Sequence, residues 1–317
     1  MTVPHWQILA AALVDAVIGD PEAWSHPVRW IGALADRLER WTRFAFRGNA
    51  GAAGVMATLT VYIVAVASAW FFSAVLGAVN QPLGFLAGTA LIYYSLAARD
   101  LLDHVFAVYR PLADNDLAAA RKAAGRIVGR DTDRLDASGI AKAATESVAE
   151  SLADGVVGPL FWAAILGPTG AFLYRAVNTL DSMFGHRDER YREFGALAAR
   201  VDDAAGYLPA RLSALLLCVA GFAGGRMERS WRVWRRDHNR HASPNAGHPE
   251  SAMAGLLGVE LGGPVSYGGV PHGRPVLGRP GRAPAPADIL SALGYSGVAY
   301  AIALALLSIF AHAIVRV

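Results

Sequence analysis

The sequence predicts an all-α integral membrane protein with about four to six membrane-embedded helices, joined by helical and Gly/Pro-rich cytoplasmic segments. Three observations predict it. Hydrophobic residues make up 54% of the 317 and charged ones only 17%, against about 25% charged in ordinary globular chains; mean hydropathy is +0.32. Charge is segregated, with long stretches carrying none. Several apolar runs approach the roughly 20 residues that a helix needs to cross a bilayer. The chain reads as one membrane-embedded domain with no internal repeat.

The clearest span is Ala52 to Val79, which has no charge and carries Val61, Ile63, Trp70, Phe71 and Phe72. Asn80-Gln81-Pro82 reads as a turn, after which Leu83 to Ala98 returns, so the two runs form a helical hairpin. Gly294 to Val315 is a second firm span. Trp6 to Ile18 is short and interrupted by Asp15, and Leu212 to Ala223 is short between Arg211 and Arg226. Gly155 to Val177 is long enough to span, but Gly167-Pro168-Thr169-Gly170 breaks it in the middle. The N-terminus carries no Lys or Arg cluster before its apolar stretch, which argues against a cleavable signal peptide.

Arginines set the expected topology. Arg29, Arg37, Arg40, Arg43 and Arg47, then Arg99 through Lys142, then Arg226 through Arg240 are placed inside by the positive-inside rule. Residues 178–208, with Arg187, Arg190, Arg192 and Arg200, join them if the segment broken at Pro168 is re-entrant and Leu212 to Ala223 also turns back; charge favours that arrangement. Leu117 to Asp154 has helical periodicity, while Leu261 to Ala287 is rich in Gly and Pro and reads as mostly loop. The lone Cys218 lies in an apolar run and can form no internal disulfide. A net charge of +3 without a concentrated basic face argues against nucleic acid as a partner.

Polar clusters gather at segment ends. Asp20, His26 and Arg29 fall within ten residues; Arg130 and Asp131 precede a helix for which Ser138 is the expected cap. Lys142, Glu146, Glu150 and Asp154 recur every four residues, so a regular helix would align them in one stripe: either a solvated face or, where carboxylates stack, a site for a hard cation such as Mg2+. Arg175, Asn178 and Asp181 recur every three residues at the end of an apolar run, where polar groups are costly unless paired or functional. Arg200 with Asp202 and Asp203, and Ser243-Pro244-Asn245-Ala246-Gly247-His248-Pro249-Glu250, complete the set. In the last run Pro249 suits the start of a helix running to Gly258, either an anion site or a plain capped start. No phosphate-binding glycine loop, zinc pattern or serine-hydrolase elbow is present.

The runs Gly-Asp-Pro…His-Pro-Val-Arg (19–29), Val-Gly-Arg-Asp-Thr (128–132), Ala-Asp-Gly-Val-Val-Gly-Pro-Leu-Phe-Trp (153–162), Tyr-Arg-Ala-Val-Asn-Thr-Leu-Asp-Ser-Met (174–183), Ala-Arg-Val-Asp-Asp (199–203), Pro-Ala-Arg-Leu (209–212) and Ser-Pro-Asn-Ala-Gly (243–247) resemble the CobD/CbiB family of cobalamin-biosynthesis proteins in order and spacing. The resemblance covers roughly residues 10 to 300. Ser151 departs from it, where Asn is usual, and so does Gly206, where Asn is common. The resemblance implies adenosylcobinamide-phosphate synthase activity at a bacterial inner membrane. An aminopropanol O-phosphate or related amino-alcohol is joined to the carboxylate of adenosylcobyric acid, using ATP and Mg2+ on the cytoplasmic side. The lipid bilayer and other membrane proteins of the pathway are the implied partners.

On residue type and placement, Asp181, Asn178, Arg175, Glu150 and Arg130 are the catalytic candidates. Glu146, Glu150, Asp154 and Asp181 are the metal candidates. Asp20, His26, Arg29, Arg200, Asp202, Asp203, Ser243 and Asn245 are the substrate candidates. A transporter would place its polar residues at mid-span rather than at segment ends. A scaffold for a biosynthetic complex would not need so many Asp, Arg and Asn clusters.

Overall fold

A computed structural model describes residues 4–21, 24, 26–186 and 188–315; Arg187 lies outside the described residues. The chain is an all-α membrane protein whose helices are α1 (Pro4–Ile18), α2 (Pro27–Ala45), α3 (Ala50–Val79), α4 (Gln81–Tyr93), α5 (Ala98–Ala113), α6 (Leu117–Ala124), α7 (Ala137–Ser151), α8 (Gly158–Phe184), α9 (Ala196–Ala220), α10 (Met227–Asp237), α11 (Gly247–Leu257) and α12 (Pro286–Val315). By length and apolarity α3, the helical stretch 137–184 taken across its break at Gly167 and α12 qualify to cross a membrane, as does α9 when its two bent halves count as one span. The chain divides into two compact units. One holds residues 1–97, 158–206 and 304–317; the other holds 98–157 and 207–303.

In the first unit, α3 explains the packing most directly. Ala53, Ala57, Val61, Ala65 and Ala69 recur every four residues and are buried, whereas Ile63, Trp70 and Phe71 on other faces are about two-thirds exposed. Small side chains on the inner stripe let α3 approach its neighbours closely, and large apolar ones outside suit lipid. The stripe belongs to a core shared with Ile31, Leu91, Phe172, Leu180, Phe184 and Phe194. The expected turn at Asn80-Gln81-Pro82 is present: the Leu83 N–H donates to Asn80 Oδ1 at 2.8 Å, so Asn80 caps α4.

The break at Pro168 folds α8 back on itself. Gly167 takes φ +68°, which an L side chain adopts only with strain. A Cβ on Gly158 would strike the Tyr174 ring, and one on Gly170 would strike the Trp162 carbonyl. In a straight helix residues 158 and 174 stand about 24 Å apart, so the two arms run side by side as a hairpin. Its Pro168 tip abuts Gly88 of α4. The segment after α8 is tied to the C-terminal end of α2: Arg190 NH2 and Arg43 Nε both donate to Glu39 Oε1 at 2.9 Å, and the Tyr191 hydroxyl donates to Glu39 Oε2 at 3.2 Å.

In the second unit α11 is buried along its whole length and packs against α10. It runs to Gly258, which takes the left-handed conformation of a helix C-terminus. The arginines of 226–240 serve this packing: Arg229 donates to the Gly255 and Leu256 carbonyls at 2.6 and 2.7 Å, and Arg236 pairs with the buried Asp237. The Gly/Pro-rich segment holds two small antiparallel pairs, β1 (Leu261–Gly262) with β4 (Val276–Leu277) and β2 (Val265–Tyr267) with β3 (Val270–His272), where only loop is expected from composition. The Gly268-Gly269 turn, with both residues at positive φ, makes the second pair feasible. Residue 136, not Ser138, caps α7: the Gly139 N–H donates to Asp136 Oδ1 at 2.7 Å. Residues 125–136 interrupt the expected helical run as a loop between α6 and α7.

Candidate active site

The predicted residues fall into both units, and each unit gathers its own set. In the first, His26 caps α2 by accepting the Val28 N–H at 3.1 Å on Nδ1, and its Nε2 faces Asp20 at 3.9 Å. Arg29 donates to the Trp24 carbonyl at 3.4 Å. The motif at 19–29 is thus a capped helix start with one carboxylate beside it.

Arg175, Asn178 and Asp181 lie on the returning arm of α8 and are each half-buried. Asp181 is within electrostatic reach of Asp203 on α9 and of His186. The Asp202 and Asp181 charges also reach the Tyr62 hydroxyl of α3. Adjacent carboxylates on a helix point to different faces, and here the Asp203 charge acts on Asp181 while that of Asp202 acts on Tyr62. Arg200 is exposed. The structure therefore brings Asp181, Asp202 and Asp203 together from sequence positions some twenty residues apart.

The second unit holds a cleft of about 520 Å³, lined by Arg130, Asp131, Asp133, Arg134, Lys142 and the Gly268-Gly269 turn among others. Its walls are the 130–135 loop and the β2–β3 hairpin. Asp131 clasps them together: the Gly268 N–H donates to Oδ1 at 2.9 Å, the Gly269 N–H to Oδ2 at 2.7 Å, and the Asp131 N–H to the Ser266 carbonyl at 2.8 Å. Lys142, from α7, donates to the Gly262 carbonyl at 3.1 Å.

Behind the cleft lies a buried charge network. Arg130 NH2 donates to Glu146 Oε2 in a short ion pair, and the Gly262 N–H donates to Glu146 Oε1 at 2.5 Å. Glu250, in the first turn of α11 and 2% exposed, stands 3.8 Å from His241 Nε2 and 3.9 Å from Arg274 NH2 through Oε1. Its Oε2 has no hydrogen-bond partner among the described residues. Burial first, then the Glu146 and Glu150 charges, push the Glu250 carboxyl well above the ordinary range, while Arg274 and Arg130 pull it back. His241 accepts the Ser243 N–H on Nδ1 at 3.0 Å, and its Nε2 lies against the donor-only Arg274 guanidinium, with Glu250 Oε1 beyond.

The candidates at 243–247 have local partners. Ser243 Oγ accepts the N–H groups of Asn245 and Ala246, both at 3.2 Å, and Asn245 Oδ1 accepts from Arg211 at 3.5 Å. This run forms the turn that leads into α11, whose N-cap Ala246 makes no side-chain cap, and the buried first turn holds Glu250 rather than an open anion pocket.

The four metal candidates do not share one place. Glu146, Glu150 and Asp154 lie in the second unit and Asp181 in the first. Glu146 is buried on Arg130 and Gly262, whereas Glu150 is exposed. Asp154 falls in a π-helical turn, Leu152–Val157, whose wider winding takes it off the four-residue stripe. Among the described residues no three His, Cys, Asp or Glu side chains gather to hold a metal ion. Glu250, His241 and Arg274 are the residues that sequence reasoning missed. Glu250 sits within the run 243–250, but nothing in its spacing distinguishes it from a first-turn carboxylate.

Comparison with known proteins accords with these motifs. The family model described as CobD/Cbib protein matches residues 8–296. A Leptospira interrogans protein named Cobalamin biosynthesis protein CobD is 41% identical over 279 residues, covering 87% of each chain. Proteins of the same name from Clostridium perfringens and Klebsiella pneumoniae are 39% and 41% identical; they cover 86% and 96% of this chain and 87% and 96% of their own. No solved structure matches. With its motifs in family order, the family model spanning nearly its whole length and relatives at about 40% identity, the chain belongs to the CobD/CbiB family of cobalamin-biosynthesis proteins.

Proposed function

We propose that this protein is an ATP-dependent amide ligase, adenosylcobinamide-phosphate synthase, joining an aminopropanol O-phosphate or related amino-alcohol to a carboxylate of adenosylcobyric acid. The observation that carries the reading is family membership across residues 8–296. A cleft lined by cations beside a buried acid–base network is the kind of surface that such chemistry needs.

A carboxylate does not condense with an amine in water without activation. In the proposed sequence a carboxylate oxygen of the corrinoid attacks the γ-phosphorus of ATP and ADP leaves, giving an acyl phosphate. The amine nitrogen then attacks the acyl carbon, phosphate leaves, and the nitrogen gives up a proton as the amide forms. Charge develops on the phosphoryl oxygens, and fixed cations stabilise it. Arg130 is the catalytic candidate in the cleft wall; Asp181, Asn178 and Arg175 are the candidates on α8, and the exposed Glu150 completes the set. Arg29, Arg200, Asp20, His26, Asp202, Asp203, Ser243 and Asn245 are proposed to orient substrates. The carboxylates present do not fit a protein-built Mg2+ site, because Glu146 spends both oxygens on Arg130 and Gly262 and no three acidic or imidazole groups gather among the described residues. A divalent ion would arrive with the nucleotide.

We place the chain in the bacterial inner membrane with the site toward the cytoplasm, where ATP is supplied. The ion pair of Glu39 with Arg190 supports this, since it ties residues 188–195 to the arginine-rich end of α2 that the positive-inside rule assigns to the cytoplasm. The reading is tested by incubating detergent-solubilised protein with adenosylcobyric acid, aminopropanol O-phosphate, Mg2+ and ATP, and following the amide by mass spectrometry. Product that needs ATP is expected; product formed equally well without ATP would refute the mechanism, and none from folded protein would refute the activity.

A further inference from the structure

We infer that the cleft between the 130–135 loop and the β2–β3 hairpin is a binding site for a phosphate group, with Arg134 and Lys142 as binding residues beside Arg130. Three cations line it: Arg130, Arg134 and Lys142. Two carboxylates line it as well, but they do not compete equally. Asp131 has both oxygens engaged by the Gly268 and Gly269 N–H groups, so it serves as the clasp of the two walls. Asp133 is exposed. That balance favours an anion over a metal cation.

The cations differ in how they are held. Arg130 is anchored from behind by buried Glu146 and Lys142 by the Gly262 carbonyl, so both are fixed before a ligand arrives. Arg134 is exposed and makes no hydrogen bond or ion pair among the described residues, which leaves its guanidinium fork available for two phosphate oxygens. A volume of about 520 Å³ suits a small molecule or part of a nucleotide. A corrinoid macrocycle is too broad for it. The ligand is therefore a phosphate ester or polyphosphate. The inference rests on the proposed function for its two sources, the nucleotide and the amino-alcohol phosphate.

The test measures binding by calorimetry to the full-length protein in detergent. ATP, aminopropanol O-phosphate and unphosphorylated aminopropanol are the probes, and wild type is compared with Arg134→Ala, Arg134→Lys and Lys142→Ala. One phosphate-bearing probe should bind roughly ten-fold or more weakly to Arg134→Ala, with partial recovery in Arg134→Lys, and should weaken likewise in Lys142→Ala. Unphosphorylated aminopropanol should be indifferent to all three. The probe that responds identifies the source. Arg134 is exposed, so its substitution leaves the fold intact even if Lys142→Ala disturbs the Gly262 turn. Wild-type affinity for both phosphate-bearing probes in Arg134→Ala, or no binding of either to wild type, overturns the site. The two readings separate in the product assay: amide formed at the wild-type rate by Arg134→Ala sinks the site and spares the ligase. Arg134-dependent phosphate binding without any amide product sinks the ligase and spares the site.

Discussion

The Arg130 guanidinium and the Glu146 carboxylate, separated by 16 residues in the chain, form an ion pair almost closed to solvent, with side chains 8% and 3% exposed. One end of the pair lines the cleft. The other is locked in place by the Gly262 N–H.

Removing one partner strands a buried charge. Glu146→Ala should lower stability by about 3–5 kcal/mol, read as the shift in unfolding of the detergent-solubilised protein. Replacing both partners, as Arg130→Met with Glu146→Leu, should restore most of that stability while leaving amide synthesis impaired. An unchanged unfolding transition in Glu146→Ala would mean that the pair holds nothing together.

Asp181→Ala should reduce amide formation by about 10²-fold or more while the protein still inserts in the membrane and unfolds as wild type does. Asp203→Asn, which removes a carboxylate charge that acts on Asp181, should have a smaller effect. Full activity in Asp181→Ala removes it from the catalytic set.

Glu250 predicts a pH dependence of stability. Burial and the neighbouring carboxylates raise its folded pKa well above 4.5, so the folded chain keeps a proton that the unfolded chain releases. Its contribution is full below about pH 4.5 and declines as pH rises toward the folded value. Glu250→Gln cannot titrate, so its stability relative to wild type should grow with rising pH across that window. Parallel melting curves against pH would contradict the raised pKa.

The Glu39–Arg190 ion pair predicts that residues 188–195 and the end of α2 lie on one side of the membrane. In a Cys218→Ser background, Arg47→Cys and Asp188→Cys should be labelled by an impermeant maleimide from the same face of sealed inverted vesicles. Labelling from opposite faces would break the link between Arg190 and Glu39.

Much of this architecture was legible because membranes impose simple lengths. The charge-free run ending at Val79, the Asn80 turn and the break at Pro168 all appear at their expected positions, since apolar length and proline act locally. The cleft was less legible. Arg130 and Asp131 stood out as a pair, but the partners of Asp131, Ser266, Gly268 and Gly269, lie more than a hundred residues away. The stripe of Lys142, Glu146, Glu150 and Asp154 misled for a local reason: it assumes uniform winding, and the π-helical turn begins at Leu152. His26 caps α2 and Ser243 holds the turn before α11, local roles that their residue types allow.

The paired arms of α8 also bear on how the protein is made. Two arms that pack on each other gain those contacts only when both have left the ribosome. Gly88 and Gln7, which receive its Pro168 tip, precede it in the chain and are synthesised first. The surface on which the Pro168 tip packs is thus synthesised before the tip itself, so the broken helix meets partners already made.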